Sequence, residues 1–102
     1  MHRGEVWDAE VPTAGRRPVV VISRESALPV LSTINCVLVS TTHHGHLAEV
    51  ELNEDEGLRH ACAANCDNIT SVDRSWFHHR LGHLGPVKLR ELDAALRLAL
   101  DL

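Results

Sequence analysis

Arg17-Pro18-Val19-Val20-Val21-Ile22-Ser23 is a β-branched run without polar alternation, the pattern of a central strand buried on both faces. Pro18 stands at its first position, where a missing N–H matters least. Immediately upstream, Pro12-Thr13-Ala14-Gly15 is turn chemistry. Before that turn, Glu5-Val6-Trp7-Asp8-Ala9-Glu10-Val11 runs with roughly period two and predicts a half-buried strand over residues 3–11.

Downstream, Ser26 to Leu31 carries Pro29 and leaves room for one helical turn at most. Thr33 to Thr42 is the second long β-type run, broken by His43-His44-Gly45-His46, and Ala48 to Leu52 alternates as an amphipathic strand. Asn53-Glu54-Asp55-Glu56-Gly57 reads as an N-cap, one acidic turn and a glycine stop. Cys62 to Val72 predicts two short strands or one bent one, Asp73 to Phe77 a brief helical turn, and His79 to Leu84 a last short strand. Pro86 opens a long helix running to about Leu100, with Leu89, Leu92, Leu96 and Ala99 as its apolar stripe. Asp93 and Arg97 form an i,i+4 pair on its outer face. The outline is a small barrel-like sheet packed by one helix, mainly β with a C-terminal helix.

A chain of 102 residues holds one domain, residues 1–102, with one hydrophobic core. Hydrophobic residues at 44% and charged residues at 24% exclude a disordered chain. With Trp7, Trp76 and Phe77 as its only aromatics, the core is built from Val, Leu, Ile and Ala. No apolar stretch is long enough to span a membrane, and Met1-His2-Arg3-Gly4-Glu5 lacks the apolar segment of a signal peptide. Three cysteines, Cys36, Cys62 and Cys66, are an odd count that fits no disulfide framework. These features predict a cytoplasmic protein. The net charge of −4 argues against non-specific nucleic-acid binding, yet Arg3, Arg16, Arg17 and Arg24 gather early in the chain as a candidate anion site.

The stretches Arg3-Gly4-Glu5-Val6-Trp7 and Gly15-Arg16-Arg17-Pro18-Val19-Val20-Val21-Ile22-Ser23 resemble the opening of MazF/PemK-like toxins. The resemblance continues in order through Val37-Leu38-Val39-Ser40-Thr41-Thr42, Cys66-Asp67-Asn68-Ile69, Arg80-Leu81-Gly82-His83-Leu84 and Leu92 to Leu100. It implies an SH3-like barrel, a homodimer, and a metal-independent endoribonuclease held silent by a cognate antitoxin. The family's arginine and third-strand threonine fall on Arg17 and Ser40. Departures are Ser at position 40, a short loop from Pro12 to Arg16, and Asn65 where some relatives carry Arg.

RNA supplies its own nucleophile, the 2′-hydroxyl, so cleavage needs proton transfer and charge stabilisation but no metal or other cofactor. Arg17 suits a bidentate phosphate clamp, and Ser40 suits donation to a non-bridging oxygen, with Thr41 as its rival. Arginine is a poor base because it stays protonated, so Asp67 is a second candidate, as base or as an RNA-orienting group. Arg3, Arg16, Arg24, Thr41, Thr42, His43, His44 and Asn68 complete the candidate contacts to single-stranded RNA. The bland alternatives are a turn-capping arginine, a polar strand end and Asx-turn chemistry at Asp67-Asn68.

His60-x-Cys62-x-x-x-Cys66 and His43-His44-x-His46 invite a zinc reading, but neither matches the usual ligand spacing, and no metal is expected. Two other classes compete with the enzyme. One is a non-catalytic, CcdB-like poison of DNA gyrase, which acts through a terminal Trp-Gly-Ile where this sequence reads Leu98-Ala99-Leu100-Asp101-Leu102. The other is a barrel interaction module, which needs no convergence of Arg17, Ser40 and Asp67.

Overall fold

In the computed structural model, which describes residues 1–42 and 45–102, the β-branched runs become the centre of one antiparallel sheet. The strands are β1 (Glu5–Val11), β2 (Gly15–Val21), β3 (Thr33–Ser40), β4 (Glu49–Leu52), β5 (Cys62–Asp73) and β6 (Phe77–His83), followed by the helix α1 (Pro86–Leu100). Their order across the sheet is β4-β5-β3-β2-β1-β6. Central β2 and β3 are buried on both faces because each face has its own cover. Val20, Val37 and Val39 point to a core shared with Leu92, Ala95 and Leu96 of α1. Val19, Val21, Ile34, Cys36 and Leu38 point the other way, against Leu28, Trp7 and Phe77. Arg74 pins the chain that carries Leu28, donating from Nε to the Leu31 carbonyl at 2.8 Å and from its guanidinium to the Leu28 carbonyl.

Pro18 lies inside β2 rather than at its start. The ladder to β3 spans only Val19 to Val21, so at Pro18 the strand pairs with β1 alone and the ring removes no bond on the β3 side. The Cys62–Val72 segment is one bent strand. Val37 faces Ile69 but Leu38 faces Asn65, so Cys66, Asp67 and Asn68 bulge out of the ladder and let β5 also pair with β4. The expected Asp93–Arg97 pair gives way to a tertiary one, in which Asp93 takes Arg3 Nη2 at 2.9 Å.

The acidic turn after β4 closes the sheet. Asn53 and Glu56 form a reciprocal capping box around Glu54–Glu56, with Gly57 in the left-handed region at φ 92°. This turn lies directly on β6: a Cβ on Gly57 would sit 2.0 Å from the Leu81 carbonyl oxygen, and one on Gly82 2.2 Å from that of Glu56. The edge β6 is thereby joined to the segment leaving the opposite edge, β4, and the sheet curls into a half-barrel. On the same rim Glu5 is buried, accepting from Trp7 Nε1 and the His2 amide, both at 2.9 Å, and pairing with Arg80 Nε at 3.1 Å.

Gly57→Ala and Gly82→Ala should each cost about 2 kcal/mol or more in urea unfolding, from backbone collision at both sites and left-handed strain at Gly57. Gly85→Ser should gain a few tenths of a kcal/mol instead, because the α1 N-cap has no side-chain hydrogen bond. Burial raises the Glu5 carboxyl, but its bonds from Trp7 and His2 and the nearby charges outweigh this and leave it below the usual glutamate range. Its stabilisation is therefore present above the unfolded pKa and lost as pH falls through the folded value. Glu5→Gln should flatten that acid limb in denaturation followed from pH 7 to 3.

Candidate active site

The β2–β3 register 19↔38, carried on by two residues, sets Arg17 opposite Ser40. Here the strands diverge and side-chain bonding takes over: Arg17 Nη2 donates to the Val39 carbonyl at 3.1 Å. That bond lays a half-buried guanidinium beside the end of β3. Ser40 Oγ accepts from the Thr42 amide at 3.1 Å, so its own proton remains available to an incoming acceptor. Both residues line a cleft of about 510 Å³ together with Arg16, Thr41, Arg59 and His60. Asp8 from β1 and Leu81 from β6 complete its walls, and Cys62 lies at its base.

Arg16 Nε is tied to Asp8 Oδ2 at 2.7 Å, which neutralises the cleft's carboxylate. Arg17 and Arg59 are then the surplus positive charge of a chain whose net charge is −4. Such a concave cationic surface with two hydroxyls, Ser40 and Thr41, suits a phosphodiester.

The other sequence-predicted residues lie elsewhere. Asp67 is exposed on the β5 bulge, its amide turned to Asn65 Oδ1 at 3.0 Å. It lines a separate, shallow cavity with His46, Leu47, Ala48, Leu98 and Ala99, so Arg17, Ser40 and Asp67 do not converge within one chain. Asn68 is exposed on the same bulge. Arg3 is a structural tie, holding Asp93 of α1 and the Ile22 carbonyl. Arg24 is exposed at the start of the turn that follows β2, and Thr42 is exposed beyond Ser40. His43 and His44 lie outside the described residues.

Arg59 and His60 were not among the sequence candidates for RNA. Their one local signal is a basic pair just past the Gly57 helix stop, and only closure of the half-barrel brings them to Arg17. Among the described residues no three His, Cys, Asp or Glu side chains gather closely enough for a metal ion. Cys62 and Cys66 belong to the α1-side core, and Cys36 to the opposite one. Burial pushes the Cys36 thiol up to about 12. It pushes Cys66 up to about 11, with the Asp67 charge adding to it, and it raises Cys62 with help from Glu56. No helix among the described residues is long and apolar enough to cross a membrane.

The family described as PemK-like, MazF-like toxin of type II toxin–antitoxin system matches residues 2–100 of this sequence. The chain belongs to that family. Among curated relatives, it is 38% identical to the probable endoribonuclease MazF5 of Mycobacterium tuberculosis (strain ATCC 25618 / H37Rv) over 100 residues, 97% of this chain and 92% of that protein. It is 35% identical to the probable endoribonuclease MazF2 of the same strain, over 95% of each. Among solved structures, Mycobacterium tuberculosis toxin MazF-mt6 superposes with a TM-score of 0.89 at 26% identity, covering 96% of this chain and 97% of that one. An endoribonuclease in complex with its cognate antitoxin, from a mycobacterial species, shares the fold with a TM-score of 0.88 at 22% identity, over 100% of this chain and 96% of that one. The half-barrel with its C-terminal helix is thus the MazF toxin fold.

The three thiols should be inert in the native MazF-like chain. At pH 8 a disulfide-exchange dye should label native protein at least about 100-fold more slowly than protein in guanidinium, where three thiols per chain become accessible.

Proposed function

We infer that Arg17 and Ser40 form the reacting centre of this toxin, a metal-independent endoribonuclease acting on single-stranded RNA. The observation that carries the assignment is the bond from Arg17 to the Val39 carbonyl, which holds the guanidinium next to the Ser40 hydroxyl inside a cationic cleft. The 2′-hydroxyl of the substrate attacks the adjacent phosphorus, and the 5′-oxygen departs, leaving a 2′,3′-cyclic phosphate and a 5′-hydroxyl. Negative charge grows on the non-bridging oxygens as the phosphorane forms. Arg17 meets that charge with paired N–H donors, and Ser40 adds a third donor. Arg16 and Arg59 flank the centre and suit neighbouring phosphates, which position the strand without reading bases. A single strand fits because its backbone is free to bring the 2′-oxygen in line with the leaving 5′-oxygen.

Asp67 is left out of the reacting centre, since it opens onto a different cavity. On its exposed bulge, with Asn68, it suits an orienting contact to RNA beyond the cleft. The toxin pairs with a cognate antitoxin, acts as a homodimer and works in the cytoplasm, where transcripts are exposed. An acidic antitoxin segment suits the cationic cleft, and the antitoxin complex of the mycobacterial relative supports this partnership.

Purified protein should cut a mixed transcript in EDTA, with 2′,3′-cyclic phosphate ends. Arg17→Ala should lower the rate by about 100- to 1000-fold, the usual loss for one oxyanion donor. Ser40→Ala should cost about tenfold or more, whereas Ser40→Thr, which keeps the hydroxyl, should retain activity. Arg59→Ala should weaken RNA binding and flatten its dependence on salt. Failure of the wild type to cut any of several unrelated RNAs would remove the enzyme assignment.

A further inference from the structure

The cleft assigned above has donors and positive charge, but among the described residues that line it few side-chain types exchange a proton near neutral pH. Arginine is a side-chain type that does not give up its proton in proteins, which leaves Arg16, Arg17 and Arg59 as hydrogen-bond donors only. Asp8 is engaged by Arg16 at 2.7 Å. Cys62 is buried in the core, where its thiol is raised rather than activated. The hydroxyls of Ser40 and Thr41 are no more acidic than the leaving alcohol itself, so they give little help as general acids. Departure of the 5′-oxygen nevertheless needs a proton, because an unprotonated alkoxide is a poor leaving group.

His60 lines the same cleft and is exposed to it. It sits three residues beyond Gly57, whose backbone lies against Leu81, so the start of its loop is fixed to the wall of the site. Histidine is the side chain that ordinarily gains and loses a proton between pH 5 and 8. The charged or titratable groups sharing the cleft with it are Asp8 of β1, Arg16 and Arg17 of β2, the adjacent Arg59, and Cys62 of β5.

We propose that His60 is the general acid that protonates the leaving 5′-oxygen. The assignment rests on the cleft of Arg17 and Ser40 being the RNA-cleaving centre. In the step, the O2′–P bond forms and the P–O5′ bond breaks. The departing oxygen takes the ring proton of the imidazolium, the 2′-hydroxyl proton passes to solvent water, and the neutral imidazole is reprotonated from water before the next turnover.

A bridging 5′-sulfur substrate separates this role from binding. The cut site is first mapped with wild-type protein on a mixed transcript, and a short RNA is then made with sulfur replacing the 5′-oxygen at that linkage. Thiolate leaves without a proton, so it makes a general acid dispensable. His60→Gln should slow cleavage of the all-oxygen RNA by about 100-fold or more. On the sulfur RNA it should match wild type within about threefold. The wild-type rate should fall at high pH on a limb that is missing in His60→Gln. Equal slowing on both substrates overturns the proposal, because His60 then binds or positions. Equal rates of variant and wild type on the oxygen substrate overturn it as well. Failure of the wild type on every RNA, by contrast, defeats the reading on which the proposal rests. His60 is exposed, so the variant should fold; circular dichroism and a second variant, His60→Asn, check that a rate loss is chemical.

Discussion

The contact of two peptide backbones, Gly57 on Leu81 and Gly82 on Glu56, turns an open sheet into a half-barrel. A Cβ at either glycine would lie only 2.0 or 2.2 Å from the facing carbonyl oxygen and would force the two backbones apart. Because the turn from Glu54 to Glu56 follows β4, while Leu81 belongs to β6, the contact bridges the two edges of the sheet. The strand order places β2 and β3 in the middle, so their ends face the seam. The cleft is the space that remains between them. Arg59 and His60 reach it because they follow Gly57 directly.

The charge pattern follows from the same architecture. A chain with net charge −4 builds a cationic cleft because several of its carboxylates are engaged in structural ties. Glu5 holds Arg80 at the rim, Asp93 holds Arg3 against α1, Glu56 caps its own turn, and Asp73 caps the turn that begins at Arg74. Asp8 is the carboxylate that lines the cleft, and Arg16 neutralises it. Guanidinium groups therefore line the concavity proposed to handle the phosphate of RNA. Specific steering of this kind does not require a basic protein.

Much of the local structure was legible beforehand. Period-two alternation marked β1 and β4, the continuous valine run marked β2, and Asn53 with Glu56 and Gly57 spelled out a capped turn. Pro86 at the start and the leucine stripe marked α1 over its observed span. These signals act within a few residues, so they need no knowledge of what the segment packs against. Register was less legible. The bulge at Cys66-Asp67-Asn68 arises because β5 serves two partners, and neither partner is near it in sequence. Asp93 had a helical neighbour of the right charge, yet Arg3 captured it, since a tertiary contact brought a second guanidinium within 2.9 Å.

The sequence by itself determined most of the elements and the two-faced burial of β2, and its resemblance to MazF/PemK-like toxins singled out Arg17 and Ser40. The elements and the burial depend on local periodicity, whereas the β2–β3 register that sets Arg17 opposite Ser40 came from the folded sheet. Tertiary structure alone decided which other groups share the cleft. It removed Asp67 by bulging the strand that carries it, and it delivered Arg59 and His60 across about forty residues of chain from Arg17. The reason is geometric: a site at a barrel seam is assembled by ring closure, and closure joins segments in an order that no local pattern encodes.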